Sequence, residues 1–122
     1  MTEKKAATMQ ENYKEAARRG GLRSAKLGEA APEVMKNFAG LAGTVLKDGA
    51  ISLKVKELIG VALAVQAHCK MCIFAHVKNA IQAGVTREEL VEALGVAVLM
   101  GGGPASAYSA IALEVFDQFS AK

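Results

Sequence analysis

Residues 52–84 read SLKVKELIGVALAVQAHCKMCIFAHVKNAIQAG, and they contain two helices and a junction. Ser52 is a fair N-cap for the first helix, because its hydroxyl can accept one of the unpaired amides of the opening turn. Leu53, Leu58, Ile59, Ala62, Leu63 and Val65 bury that helix broadly, while Lys54, Lys56 and Glu57 mark its first turns. The second helix is expected to begin within Ala67–Cys72, with His68 and Cys69 at its entrance, and to stop at Gly84, a natural residue for the left-handed position after a helix. No segment alternates apolar and polar residues with period two, so no sheet is expected.

Working outward, Thr86 and Glu89 have the spacing of a capping box before LVEALGVAVLM, which marks another helix start. Gly101-Gly102-Gly103-Pro104 interrupts it, and SAYSAIALEVFDQF forms a last helix with Tyr108, Ile111, Val115, Phe116 and Phe119 for packing. The triple glycine follows no strand and precedes no Lys-Ser/Thr pair, so it reads as a tight connection rather than a phosphate cradle. Toward the N-terminus, APEVMKNFAGLAGTVLKDG places Pro32 at a helix start, where its missing N–H costs nothing, and ends at Asp48-Gly49. Gly40 and Gly43 there would admit another backbone. Residues Lys4–Arg19 form a weak helix that Gly20-Gly21 should stop, making residues 1–21 an N-terminal helical arm on a single domain spanning 1–122. The fold class is all-α, with about six helices.

The chain has 122 residues, of which 52% are hydrophobic, yet no uninterrupted apolar run approaches membrane-spanning length. This much apolar surface on so small a chain points to subunit interfaces and a homo-oligomer. The charge of +3 comes from 15 Lys and Arg against 12 Asp and Glu. The cations before Lys36 are interleaved with Glu3, Glu11, Glu15, Glu29 and Glu33, so no nucleic-acid-binding patch is expected. The start, MTEKKAATMQENYKEAARRGG, has no apolar core or cleavage signal of a secretory peptide, and a cytoplasmic location without membrane attachment is expected.

The chemistry concentrates in HCKMCIFAH, residues 68–76. Two cysteines separated by two residues cannot staple distant segments, and in a cytosolic setting the spacing points to redox or metal chemistry. If both are helical, Cys69 and Cys72 are neighbours near a helix N-terminus, where unpaired amides and the aligned peptide dipoles favour a thiolate. His76, four residues beyond Cys72, falls on the same stripe and could shuttle a proton to or from sulfur. Glu57 is the one acid between Ser52 and Gln66; it is either a buried base or an early-turn acid facing solvent. His68 could modify the Cys69 thiol or simply cap the helix start, and Met71 packs beside the site. Zinc is an alternative, with Cys69, Cys72 and His76 as ligands and His68 or Glu57 as a fourth, but no second cysteine pair exists. Two small buried thiols without a role are a further alternative.

The pattern KELIGVALAVQAHCKMCIFAHVKNAIQAGVTREELVEAL resembles the alkylhydroperoxidase D-like branch of the carboxymuconolactone decarboxylase superfamily, over roughly Ser52–Met100. The specific element is the combination of Glu57, twelve residues to Cys69, the Cys-x-x-Cys pair, and His76 four residues after Cys72. This resemblance implies an all-helical domain assembled as a trimer or hexamer, and a cysteine peroxidase that needs no haem, metal or flavin. By the same resemblance Cys72 is the peroxidatic and Cys69 the resolving cysteine, Glu57 and His76 form a proton relay, and no residue holds a cofactor or metal. The substrate would be a peroxide, and a thioredoxin-like or lipoyl-bearing protein would reset the disulfide. Well-studied members place a histidine immediately before the second cysteine, where this chain has Met71; its additional histidine, His68, precedes the first. General dithiol–disulfide exchange is therefore the alternative activity. A metal-binding or non-catalytic oligomeric module and a decarboxylase stand behind it, since the true lactone decarboxylases generally lack the dithiol.

Overall fold

A computed structural model describes residues 11–121. Among these residues five helices follow in chain order: α1 (Tyr13–Ala30), α2 (Pro32–Val45), α3 (Leu53–Gln66), α4 (Lys70–Gln82) and α5 (Arg87–Ser120). There is no strand among the described residues, as the absence of period-two patterning implies.

Helix starts follow local chemistry. Asn12, Ser52 and Thr86 accept backbone N–H bonds from Glu15, Val55 and Glu89. Thr86 and Glu89 form the reciprocal capping box, with the Thr86 N–H donating to Glu89 Oε1 at 2.8 Å. Pro32 opens α2. That helix ends under Lys56, whose ammonium donates to the Val45 and Lys47 carbonyls, both at 2.9 Å.

α3 lies at the centre, packed against α4 and α5, which also pack on each other. Val61, Val65, Ile73, Val77, Leu90 and Val115 are sealed between them, and each such burial favours the fold by roughly 1.5–3 kcal/mol. α1 lies across α4 and α5 and brings in Tyr13, whose ring packs against Phe74 at 5.6 Å.

α5 is one helix only by continuity. Gly102 adopts φ 68°, ψ −146°, a conformation that glycine reaches without steric cost. There the helix folds back: Arg87 and Asp117, about 45 Å apart on a straight helix, form a two-pronged ion pair at 2.9 and 3.1 Å. The expected interruption at Gly101–Pro104 is this fold, and Pro104 falls just after it. α5 has the length and apolar composition of a membrane-crossing helix, but its fold at Gly102 and its packing on α3 and α4 make it part of the core.

One expectation needs correcting. Gly20-Gly21 does not stop a helix: α1 runs through both, because Gly20 is buried and a Cβ there would collide with the Met71 thioether. Glycine at this position serves close packing instead of termination. The expected arm over 1–21 lies partly outside the described residues, and from Tyr13 onward its sequence is the first half of α1. At Gly40 and Gly43, nothing in the described chain comes within 4 Å of where a Cβ would stand. α2 has no buried residue, packs on α1 with only its C-terminal end tied to α3 through Lys56, and exposes Val34, Phe38, Leu41 and Val45, with Phe38 at 64%. Leu99, at 81%, and Met100 are exposed on α5.

Candidate active site

α3 and α4 end in the same backbone motif. After α4, the Val85 N–H donates to the Ala80 carbonyl and Gly84, at φ 87°, turns the chain left-handed. After α3, the Cys69 N–H donates to the Ala64 carbonyl and the His68 N–H to the Val65 carbonyl. His68 holds the left-handed position at φ 55° and is the one described non-glycine residue with positive φ, at a local cost of roughly 1–2 kcal/mol. The turn ends α3 and sends the chain directly into α4 with Cys69 as its N-cap.

Cys69 is therefore not helical, which corrects the i, i+3 geometry expected if both cysteines were. Its backbone is extended (φ −107°, ψ 96°), and its Sγ accepts the Cys72 N–H at 3.2 Å, the place usually taken by a serine, threonine or aspartate oxygen. The Cys69 and Cys72 sulfurs are bonded to each other, with Cα atoms 5.2 Å apart. Both sit over the first turn of α4, where the helix dipole and free amides stabilise negative charge on sulfur once the bond is opened. Cys72 is exposed and Cys69 half-buried.

Glu57 is not an acid facing solvent. Its side chain is 2% exposed, and His76 Nδ1 lies 2.7 Å from Oε1. This is its sole hydrogen bond among the described residues. A neutral imidazole donating from Nδ1 to the carboxylate leaves Nε2 as its acceptor. His76 itself is 28% exposed and lines the same depression as Cys72. The pair thus links a buried carboxylate to the surface of the depression that Cys72 also lines.

Gly60, inside α3, makes this contact possible. A Cβ at residue 60 would stand 2.8 Å from His76 Nδ1 and 3.0 Å from Cγ, closer than real side chains approach. The available signal was a glycine in mid-helix, which costs about 1 kcal/mol relative to alanine, three residues from Glu57 and hence on the same face. Met71 occupies the notch at Gly20, half-buried, with its sulfur 3.9 Å from Arg23 Nη2. His68 stands apart from the Glu57–His76 pair; its exposed ring stacks on Tyr108 at 4.7 Å and 11°. Among the described residues no three His, Cys, Asp or Glu side chains converge to hold a metal ion.

Fold and site together define a small all-helical domain with a redox-capable dithiol at a helix N-terminus. Residues 32–115 match the carboxymuconolactone decarboxylase family, and the chain belongs to that family. An uncharacterised protein of Cupriavidus necator is 43% identical over 95 residues, covering 78% of this chain and 84% of its own. The crystal structure of an apo carboxymuconolactone decarboxylase family protein from Legionella pneumophila is 44% identical, with a TM-score of 0.86 over 89% of this chain and 97% of that one. A Thermotoga maritima structure, 28% identical, superposes with a TM-score of 0.69 over 77% and 88%; for that family member, involvement in an antioxidative response has been suggested.

Proposed function

We propose that the protein is a thiol-dependent peroxidase of the alkylhydroperoxidase D-like branch. The observation that carries this reading is the exposed residue Cys72 lining the same depression as a histidine hydrogen-bonded to a buried carboxylate. The antioxidative role suggested for the Thermotoga protein is in keeping with it. In the reduced protein the Cys72 thiolate attacks one peroxide oxygen and the O–O bond breaks. The other oxygen leaves as alcohol or water after taking a proton, and Cys72 becomes a sulfenic acid. Cys69 then displaces water from that sulfur, giving the observed bond. His76, held by Glu57, accepts the Cys72 proton and returns it to the leaving oxygen.

An external dithiol, on a thioredoxin-like or lipoyl-bearing protein, reopens the disulfide by exchange. Assembly as a trimer or hexamer would cover the apolar faces of α2 and α5. A second reading, dithiol–disulfide exchange without a peroxide substrate, is favoured by one observation: Met71, packed into the Gly20 notch, stands at the position before the second cysteine where well-studied members of the branch carry a histidine.

Cysteine variants separate the two. With Cys69→Ser, a peroxidase gives one oxidation event and a Cys72 sulfenic acid that a dimedone-type reagent traps. With Cys72→Ser, peroxide consumption stops. An exchange protein would instead accumulate a mixed disulfide with a partner protein and consume peroxide no faster than a free thiol.

A further inference from the structure

The depression in front of Cys72 is an open groove of about 980 Å³ along the seam between α1 and α4. The two helices run in opposite directions, since Met71 meets Gly20 and Arg23 while Phe74 meets Tyr13. Lys14 therefore lies toward the C-terminal end of α4, where Lys78 also lines the groove. Phe74, Ile81 and Phe119 supply an apolar wall to the groove, with the two phenyl rings 6.3 Å apart. No aspartate or glutamate lines the groove. Arg18 is already bound to Glu15 through two N–H groups at 2.7 and 2.9 Å, whereas neither lysine forms an ion pair among the described residues. Lys78 stands six positions after Cys72 on α4, a rise of about 9 Å.

We propose that this groove selects hydroperoxides bearing a carboxylate, with the peroxide at Cys72, a medium-length alkyl chain along the phenyl wall, and the carboxylate at Lys14 and Lys78. The inference rests on the peroxidase reading and names its substrate class. The O–O bond breaks as the S–O bond forms, and the substrate leaves as a hydroxy acid. Cys69 then releases water from the sulfenic acid, so the two electrons that reduce the peroxide come from the dithiol.

The test compares a medium-chain hydroperoxy acid, below its micelle concentration, with its methyl ester, reading Cys69–Cys72 disulfide formation in the full reduced chain. The acid is expected to react about three- to tenfold faster than the ester, the scale of two exposed charge contacts. That ratio should fall toward one in 1 M salt and in the Lys14→Gln/Lys78→Gln double variant. Taking the ratio within each protein removes any general effect of the substitutions. In a second arm, the non-reacting hydroxy acid is titrated against its methyl ester, with tighter binding of the acid expected in the unsubstituted protein only.

Equal rates for acid and ester in a protein that hydrogen peroxide oxidises rapidly, or a preference that survives in the double variant, would overturn the groove assignment and leave the peroxidase reading standing. Charge-dependent binding of the hydroxy acid without accelerated oxidation by any peroxide would overturn the peroxidase reading, and with it the substrate class.

Discussion

Replacing Gly60 with alanine separates a glycine that merely interrupts a helix from one that seats a functional side chain. In an ordinary helix interior the change stabilises by up to about 1 kcal/mol, because glycine loses more backbone freedom on folding. At residue 60 the new Cβ would stand 2.8 Å from His76 Nδ1, against the 3.4 Å at which ordinary contact begins. The imidazole must therefore retreat by about 0.6 Å, enough to spoil the 2.7 Å bond to Glu57. A carboxylate only 2% exposed then lacks its partner, at a cost of about 1.5–3 kcal/mol. The net expectation for Gly60→Ala is a loss of about 1–2 kcal/mol in urea unfolding, with slower thiol oxidation by peroxide. Gly95→Ala is the control: that glycine is helical and has nothing within 4 Å of its Cβ position, so it should be neutral or stabilising. A Gly60→Ala protein as stable as its parent and equally fast toward peroxide would refute the seating role.

Glu57→Gln keeps the shape of the buried contact but removes its charge, and should slow thiol oxidation at neutral pH without loss of helix by circular dichroism; unchanged kinetics would remove Glu57 from the mechanism. Thr86→Ala breaks one half of the capping box and should cost about 1 kcal/mol in denaturant midpoint analysis while leaving thiol kinetics alone. Burial of Tyr13, reinforced by the nearby Glu114 and Glu11 carboxylates, pushes its phenol up to about 12 from 10.0. Between those values the unfolded chain has already lost the proton that the folded chain keeps, so stability should fall as pH rises from about 10 to about 12. Tyr13→Phe should flatten that part of the profile, and an unaltered alkaline slope would contradict the assignment.

Much of the fold was legible because its signals are local. The Thr86–Glu89 box, Ser52, Pro32 and Gly84 each act through their own neighbouring amides, and each stands where its chemistry puts it. Glycines were legible only where conformation was their reason. Gly84 and Gly102 have positive φ and mark a turn and a fold, whereas Gly20 and Gly60 are helical and make room for side chains about fifty and sixteen residues further on. Such long-range sterics leave no local pattern.

In the candidate site the spacing of the dithiol and His76 was visible, but the choice between a buried and a solvated Glu57 needed the α3–α4 packing that joins it to His76. Cys69 as an N-cap was also hidden, since sulfur is not the usual capping atom and the preceding left-handed residue is a histidine. The apolar face of α2 was apparent as a helix stripe, but its exposure in the single chain follows from its packing chiefly on α1.

The most direct test of the peroxidase reading is stopped-flow oxidation of the reduced, metal-free protein by hydrogen peroxide and an organic hydroperoxide, with the Cys69–Cys72 bond read by mass spectrometry. The expected result is disulfide formation orders of magnitude faster than oxidation of a free thiol, and none in Cys72→Ser. Oxidation no faster than a free thiol, or peroxide consumption by Cys72→Ser at the parent rate, would contradict it.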